Sequence, residues 1–157
     1  MNVVQIAAAE SPEQLAQLRG LLVEYAESLS YHICFESFQK ELAQLPGVYG
    51  PPDGRLFLAL AGGQPAGCAA LRQMEQGVGE IKRLYVRPAF RGRGLGRELS
   101  EKILSEARAL GYRAVRLDTL PLMKEAQSLY RSLGFKPVGA SRSVRGEKPI
   151  DMELQLT

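Results

Sequence analysis

Apolar residues recur at three- and four-residue spacing through Leu15, Leu18, Leu22, Tyr25 and Leu29, the stripe of a helix with one buried face. The start of that helix is marked chemically. Ser11 suits the N-cap, Pro12 the first helical position, and Gln14 stands where a capping box takes Glu or Gln. A strand over residues 3–8 precedes it. A shorter stripe, Phe38, Leu42 and Leu45, predicts a second helix over 37–45 that Pro46-Gly47 stops. A Gly- and Pro-rich loop (47–54) then leads into two apolar runs, 55–61 and 66–72, joined through Gly62-Gly63 as a hairpin. After a turn at 76–79 comes a strand over 80–86. Leu95, Leu99, Ile103, Ala107 and Leu110 mark a helix closed by Gly111. A strand over 114–118, a helix over 123–133 ended by Gly134, a strand from about 135 and a last one near 152–156 complete the chain. The order β-α-α-β-β-β-α-β-α-β-β predicts an α/β (α+β) fold, a mixed sheet flanked by helices.

The chain has 157 residues, 45% hydrophobic and 24% charged, which predicts one domain over 1–157 with a core of its own. No apolar run reaches the ~20 residues of a membrane helix, and the first residues lack the pattern of a secretory signal. Two cysteines, Cys34 and Cys68, make no disulfide framework, and a single histidine, His32, leaves no His-rich metal site. The expected setting is the cytoplasm, with reduced thiols, no metal and no membrane. Charge placement says more than its total. From Lys82 to Arg97 there are six basic residues and no acidic one, whereas the rest of the chain holds 14 basic against 17 acidic. A cationic spot on a neutral-to-acidic body predicts a local anion site and no nucleic-acid surface.

That spot lies in a turn between a strand and a helix, where Gly92, Gly94 and Gly96 alternate with Arg91, Arg93 and Leu95. Glycines let the backbone bend sharply and approach a ligand. The first amides of the following helix point outward at its positive end, a seat for phosphate. Neither the Walker A pattern nor GxGxxG fits these glycines. On the turn alone, a tight bend on a basic surface remains the other reading.

Arg91-x-x-Gly94-x-Gly96, after a strand ending Leu84-Tyr85-Val86-Arg87-Pro88, resembles the acetyl-CoA signature of the GNAT superfamily of N-acetyltransferases. Ala126-Gln127-Ser128-Leu129-Tyr130, continuing to Gly134-Phe135, resembles that family's second motif, and the order of elements agrees. The resemblance implies a mixed, mostly antiparallel sheet, splayed between the strand 80–86 and the strand 114–118. It implies acetyl-CoA as co-substrate, with the pantetheine arm on the main chain of Leu84 and Val86 and the pyrophosphate on the amides of Arg91, Gly92, Arg93, Gly94, Leu95 and Gly96. Val86 N–H would face the thioester oxygen. Tyr130 would stand near the sulfur as general acid, or else be a packing aromatic. Glu80 would accept the amine's proton, or else be a solvent-facing strand end. Met123 stands where the family often has asparagine, a departure at one coenzyme contact.

Asp118 either touches the acceptor or caps the turn before Pro121. Cys34 and His32 read as structural or acceptor-lining, and Cys68 as core. The expected partner is a small-molecule or peptide amine, and a homodimer is compatible with it. Residues 1–45 carry six glutamates against Arg19 and Lys40. Glu24, Glu27 and Glu36 are thereby expected to line the acceptor's entrance and favour a cationic amine, unless they are only the solvated face of a helix. A non-catalytic acyl-CoA sensor of the same fold is the alternative function.

Overall fold

The capping box forms. The Gln14 amide donates to Ser11 Oγ at 3.1 Å, and the Ser11 and Glu10 amides donate to Gln14 Oε1 at 3.0 and 2.9 Å. These bonds satisfy the orphan donors at the start of helix α1, Pro12–Leu29. The computed structural model describes residues 4–29, 35–119, 123–138 and 149–156. His32, Cys34 and Pro121 lie outside them, as do the side chains of Leu29 and Glu36.

The remaining elements follow the predicted order: β1 (Val4–Ala8), α2 (Phe35–Gln44), β2 (Arg55–Ala61), β3 (Gln64–Glu75), β4 (Val78–Val86), α3 (Leu95–Leu110), β5 (Ala114–Thr119), α4 (Lys124–Ser132), β6 (Lys136–Pro137) and β7 (Ile150–Gln155). The hairpin strands run longer than their apolar stretches. β3 reaches Glu75 and β4 begins at Val78, so Gln76 and Gly77, the latter at φ +80°, make the whole turn. Edge-on polar residues such as Arg72 and Gln73 pair across the ladder despite lacking apolar alternation.

The seven strands lie in the order β1-β2-β3-β4-β5-β7-β6, and every pairing is antiparallel except β4 with β5. Two cores sit on opposite faces. Leu99, Ile103 and Ala107 of α3 and Tyr130 of α4 pack on Leu71, Ile81, Val115 and Leu117. Leu18 and Leu22 of α1 and Phe38 and Leu42 of α2 pack on Leu58, Cys68, Ala70 and Tyr85. Burying each such leucine contributes about 1.5–3 kcal/mol.

The sheet forks between β4 and β5. Their parallel register covers only Val78↔Ala114, Gly79↔Val115 and Glu80↔Arg116. Beyond that point β4 bulges against β3. The pairing jumps from Ala70↔Lys82 to Cys68↔Tyr85, and Arg83 adopts φ +58°. A bulge bends its strand and sharpens the twist, which carries residues 83–86 away from β5.

Candidate active site

The fork opens into a cavity of about 1170 Å³. One wall is residues 81–86 of β4, the other is Leu117, Asp118 and Thr119 of β5, and α4 closes the far end through Ala126, Leu129 and Tyr130. Backbone polarity follows from strand alternation. The Arg87 amide donates across to Ala66 O at 2.9 Å, toward β3. The N–H and C=O of Val86, one residue earlier, therefore point to the other edge, into the fork. The carbonyl is taken there by Arg91 Nε, which donates to Val86 O at 2.9 Å. Val86 N–H is thus aimed into the cavity from a fixed strand.

The glycine turn lies beside it. Gly92 and Gly94 sit at φ +78° and +79° with open space where a Cβ would stand, so conformation and not crowding makes glycine fit. Gly94 is the N-cap of α3 and supplies no side-chain cap, leaving outward amides for a ligand. Leu84, Val86, Arg91, Gly92, Gly94, Leu95 and Gly96 all line the cavity. Arg93 does not; its guanidinium lies 5.8 Å from the Phe90 ring centroid. Arg97 and Lys124 add positive charge to the part of the cavity beside the glycine turn. This set fits a chain carrying amides and ending in a pyrophosphate: an edge amide, φ-positive glycines, a helix N-terminus and arginines.

Tyr25 of α1, Tyr130 of α4 and Asp118 of β5 converge at the fork. Burial pushes the Tyr25 phenol up to about 12, with Arg83 opposing and Asp118 adding. Burial also holds Tyr130 above its ordinary range, helped by the charges of Tyr25 and Asp118. Both phenols stay protonated at neutral pH. Tyr130 is 7% exposed and meets Phe135 edge-on at 5.9 Å, so it both packs and reaches the cavity. Met123 is the N-cap residue of α4 and accepts from Thr119 Oγ1 through Sδ at 3.8 Å.

Besides Arg93, three expected residues lie elsewhere. Glu80 is buried and engaged by Arg72, with Nη2 at 2.6 Å and Nε at 2.8 Å from Oε1, and is not part of the cavity wall. It sits on the last paired rung, before the fork opens, so a role as proton acceptor does not fit its position. Glu24 accepts from Arg87 Nε at 3.1 Å and from Tyr85 Oη at 3.3 Å. It lines, with Glu27, a separate shallow groove of about 740 Å³ and not the large cavity. Glu24 is therefore paired at the groove, whereas Glu27 stays exposed on it.

The cavity wall toward α2 is built from Phe38, Glu41, Lys82, Arg83 and Tyr85. Arg83 donates to Glu41 twice at 2.8 Å and stacks 5.4 Å from the Phe38 ring centroid. Cys68 Sγ donates to the Arg83 carbonyl at 3.3 Å. Together these contacts hold a non-glycine residue in the left-handed region. Nothing local in the sequence marks the pair, since its partners stand 42 residues apart; the Lys82-Arg83 doublet in a strand was the one available signal. Among the described residues, no helix is long and apolar enough to cross a membrane.

A family model described as "Acetyltransferase (GNAT) family" matches residues 16–135. The chain is 42% identical over 135 residues to the IAA acetyltransferase of Azospirillum brasilense, across 84% of each sequence. It is 37% identical over 135 residues to an uncharacterised N-acetyltransferase of Schizosaccharomyces pombe, across 85% of this chain and 83% of that one. The fold matches, with a TM-score of 0.75 and 21% identity, a protein of Salmonella typhimurium solved with its cofactor acetyl-CoA, over 99% of this chain and 95% of that one.

Proposed function

The chain belongs to the GNAT acetyltransferase family, and from that premise we propose that it transfers the acetyl group of acetyl-CoA to a primary amine by direct attack on the bound thioester. The observation that carries this reading is the fork, where the Val86 amide is aimed into the cavity beside an uncapped helix start. Acetyl-CoA supplies an acetyl group activated on sulfur. Val86 N–H is the donor for the carbonyl oxygen as that oxygen gains charge, an interaction of the kind worth a few kcal/mol when preorganised. The amides from Arg91 to Gly96 and the Arg91 and Arg97 side chains take the pyrophosphate. Tyr130, protonated at neutral pH, is the proton donor to the departing thiolate. Release of coenzyme A thiol in the presence of acetyl-CoA and an amine panel tests the reading. Binding of acetyl-CoA with no thiol released to any primary amine would make the chain the non-catalytic sensor instead.

A further inference from the structure

The fork sets two opposite charges against each other. Glu80↔Arg116 is the last rung that β4 and β5 share. Two residues further along each strand stand Lys82 and Asp118, at equivalent heights on either side of the gap. Their neighbours Ile81 and Leu117 are buried in the core beneath α3. Alternation therefore puts Lys82 and Asp118 on the opposite face, the α1–α2 face, and both line the cavity.

Several charges near the gap are matched in pairs: Arg72 with Glu80, Arg83 with Glu41, Arg116 with Glu153. Lys82 and Asp118 have no ion-pair partner among the described residues, and they do not reach each other. Asp151 stands directly across from Asp118 on β7. Two carboxylates opposite one another in a ladder repel, and a cation placed at Asp118 relieves that repulsion. On the same wall as Lys82, Arg83 spends Nε and Nη2 on Glu41, and both Arg83 and Lys82 line the cavity, with Nη1 still able to donate.

We propose that the acceptor is a zwitterion of amino-acid type, its ammonium held at Asp118 and its carboxylate at Lys82, with Arg83 in support. This inference rests on the acetyl-transfer reading above and names the substrate class of that same site. Paired strands lie about 4.8 Å apart, and Lys82 and Asp118 stand only two positions past the last shared rung, so a short molecule that bridges both walls carries its opposite charges a few bonds from one another. The free glutamates expected at the entrance would have selected a plain cation; with Glu24 neutralised by Arg87, the charges that face the cavity select a molecule bearing both signs.

The step balances. The ammonium gives one proton to the Asp118 carboxylate, and the freed lone pair forms the N–C bond to the acetyl carbon. The C–S bond breaks with its electron pair going to sulfur. Tyr130 protonates that sulfur and recovers a proton from the acylated nitrogen. The products are the N-acetyl amino acid and coenzyme A, with the first proton passing from Asp118 to solvent.

The test offers the purified protein, saturated with acetyl-CoA, three matched sets: neutral L-α-amino acids, their carboxamides and their decarboxylated amines. Thiol release is followed. The amino acids are expected to exceed both other sets by roughly tenfold or more in kcat/KM, the value of one charged hydrogen bond. Lys82→Met removes that preference by raising KM for the amino acid while kcat holds, and keeps the rise in Tm caused by acetyl-CoA. Asp118→Asn lowers kcat for all three sets. Equal or better use of the carboxamide or the decarboxylated amine overturns the inference, as does a Lys82→Met protein that keeps the preference. Thiol release with no member of any set, while acetyl-CoA still raises Tm, also overturns it. Failure of acetyl-CoA to raise Tm at all would instead defeat the acetyl-transfer reading beneath it.

Discussion

Replacing Glu41 by alanine should cost far more than the loss of a surface ion pair. The Arg83 and Glu41 side chains are only 16% and 20% exposed, and two 2.8 Å bonds join them. Burial works against the Arg83 charge, but the hydrogen bond of Glu41, with Tyr49, the Glu41 charge and Tyr25 behind it, more than offsets it, so the guanidinium is held above its ordinary range. An arginine cannot shed its proton when the partner goes, so the variant keeps a largely buried, unpaired cation. Breaking a buried pair costs about 3–5 kcal/mol; the residual exposure reduces this to about 3 kcal/mol. For a chain of this size that is a fall in Tm of roughly 6–12 °C. Differential scanning calorimetry and urea titration measure it, and the loss should change little between low and high salt because the pair is shielded. Glu41→Leu combined with Arg83→Met should recover most of it, since an apolar pair leaves no orphaned charge. The bulge would then have lost its pins, so kcat/KM for the acceptor should remain depressed while acetyl-CoA still binds. A loss below about 1 kcal/mol for Glu41→Ala would place the pair among ordinary surface bridges and refute the argument that it holds the bulge.

Tyr130→Phe should keep the Tm rise with acetyl-CoA and lower turnover by roughly 100-fold, the lower range of a general-acid contribution; unchanged turnover would return Tyr130 to packing against Phe135 alone. Acetyl-CoA at a hundredfold its dissociation constant should stabilise the protein by about 2.7 kcal/mol. Gly94→Asp should abolish that gain, whereas Gly94→Ala, strained at φ +79° but uncharged, should lose stability by about 1–2 kcal/mol and retain part of it. A folded Gly94→Asp protein with the wild-type shift would move the pyrophosphate elsewhere. Burial pushes the Cys68 thiol up to about 12 from 9.0, with Arg83 and a Tyr85 backbone hydrogen bond pulling the other way. Below pH 9 the thiol is neutral in both folded and unfolded chains; above it only the unfolded chain ionises, so the contribution to stability falls by about 1.4 kcal/mol per pH unit until pH 12. Cys68→Ala should remove that part of the alkaline slope in urea titrations; an unchanged slope would mean that Cys68 is not its source.

What the sequence disclosed was what short-range chemistry encodes. Ser11, Pro12 and Gln14 announce α1 because the cap is closed within four residues, and Gly94 and Gly111 bracket α3 because both ends need a positive φ. The turn of Gly92, Gly94 and Gly96 was legible for the same reason: the residues that bring it to the cavity are consecutive in the chain. The opposite wall was not. Its ion pair joins residues 42 apart, and the left-handed residue at the bulge is an arginine, the kind of position that a search for glycines passes over. Glu80 drew attention by its place at a strand end, yet Arg72 reaches it only because a two-residue turn brings β3 and β4 into register.

The fork gives one sheet two interior edges, and that divides recognition between two kinds of atom. On the proposed reading the strand offers main chain to the acetyl donor, so Leu84 and Val86 can exchange for other apolar residues without altering what their amides present. On the other face the same strand presents side chains, and Lys82, Arg83 and Tyr85 stand one residue away from those backbone contacts. A single run of five residues thus holds a part that substitution scarcely touches and a part that substitution rewrites. Changes of acceptor can accumulate along β4 while the grip on the acetyl donor stays as it was.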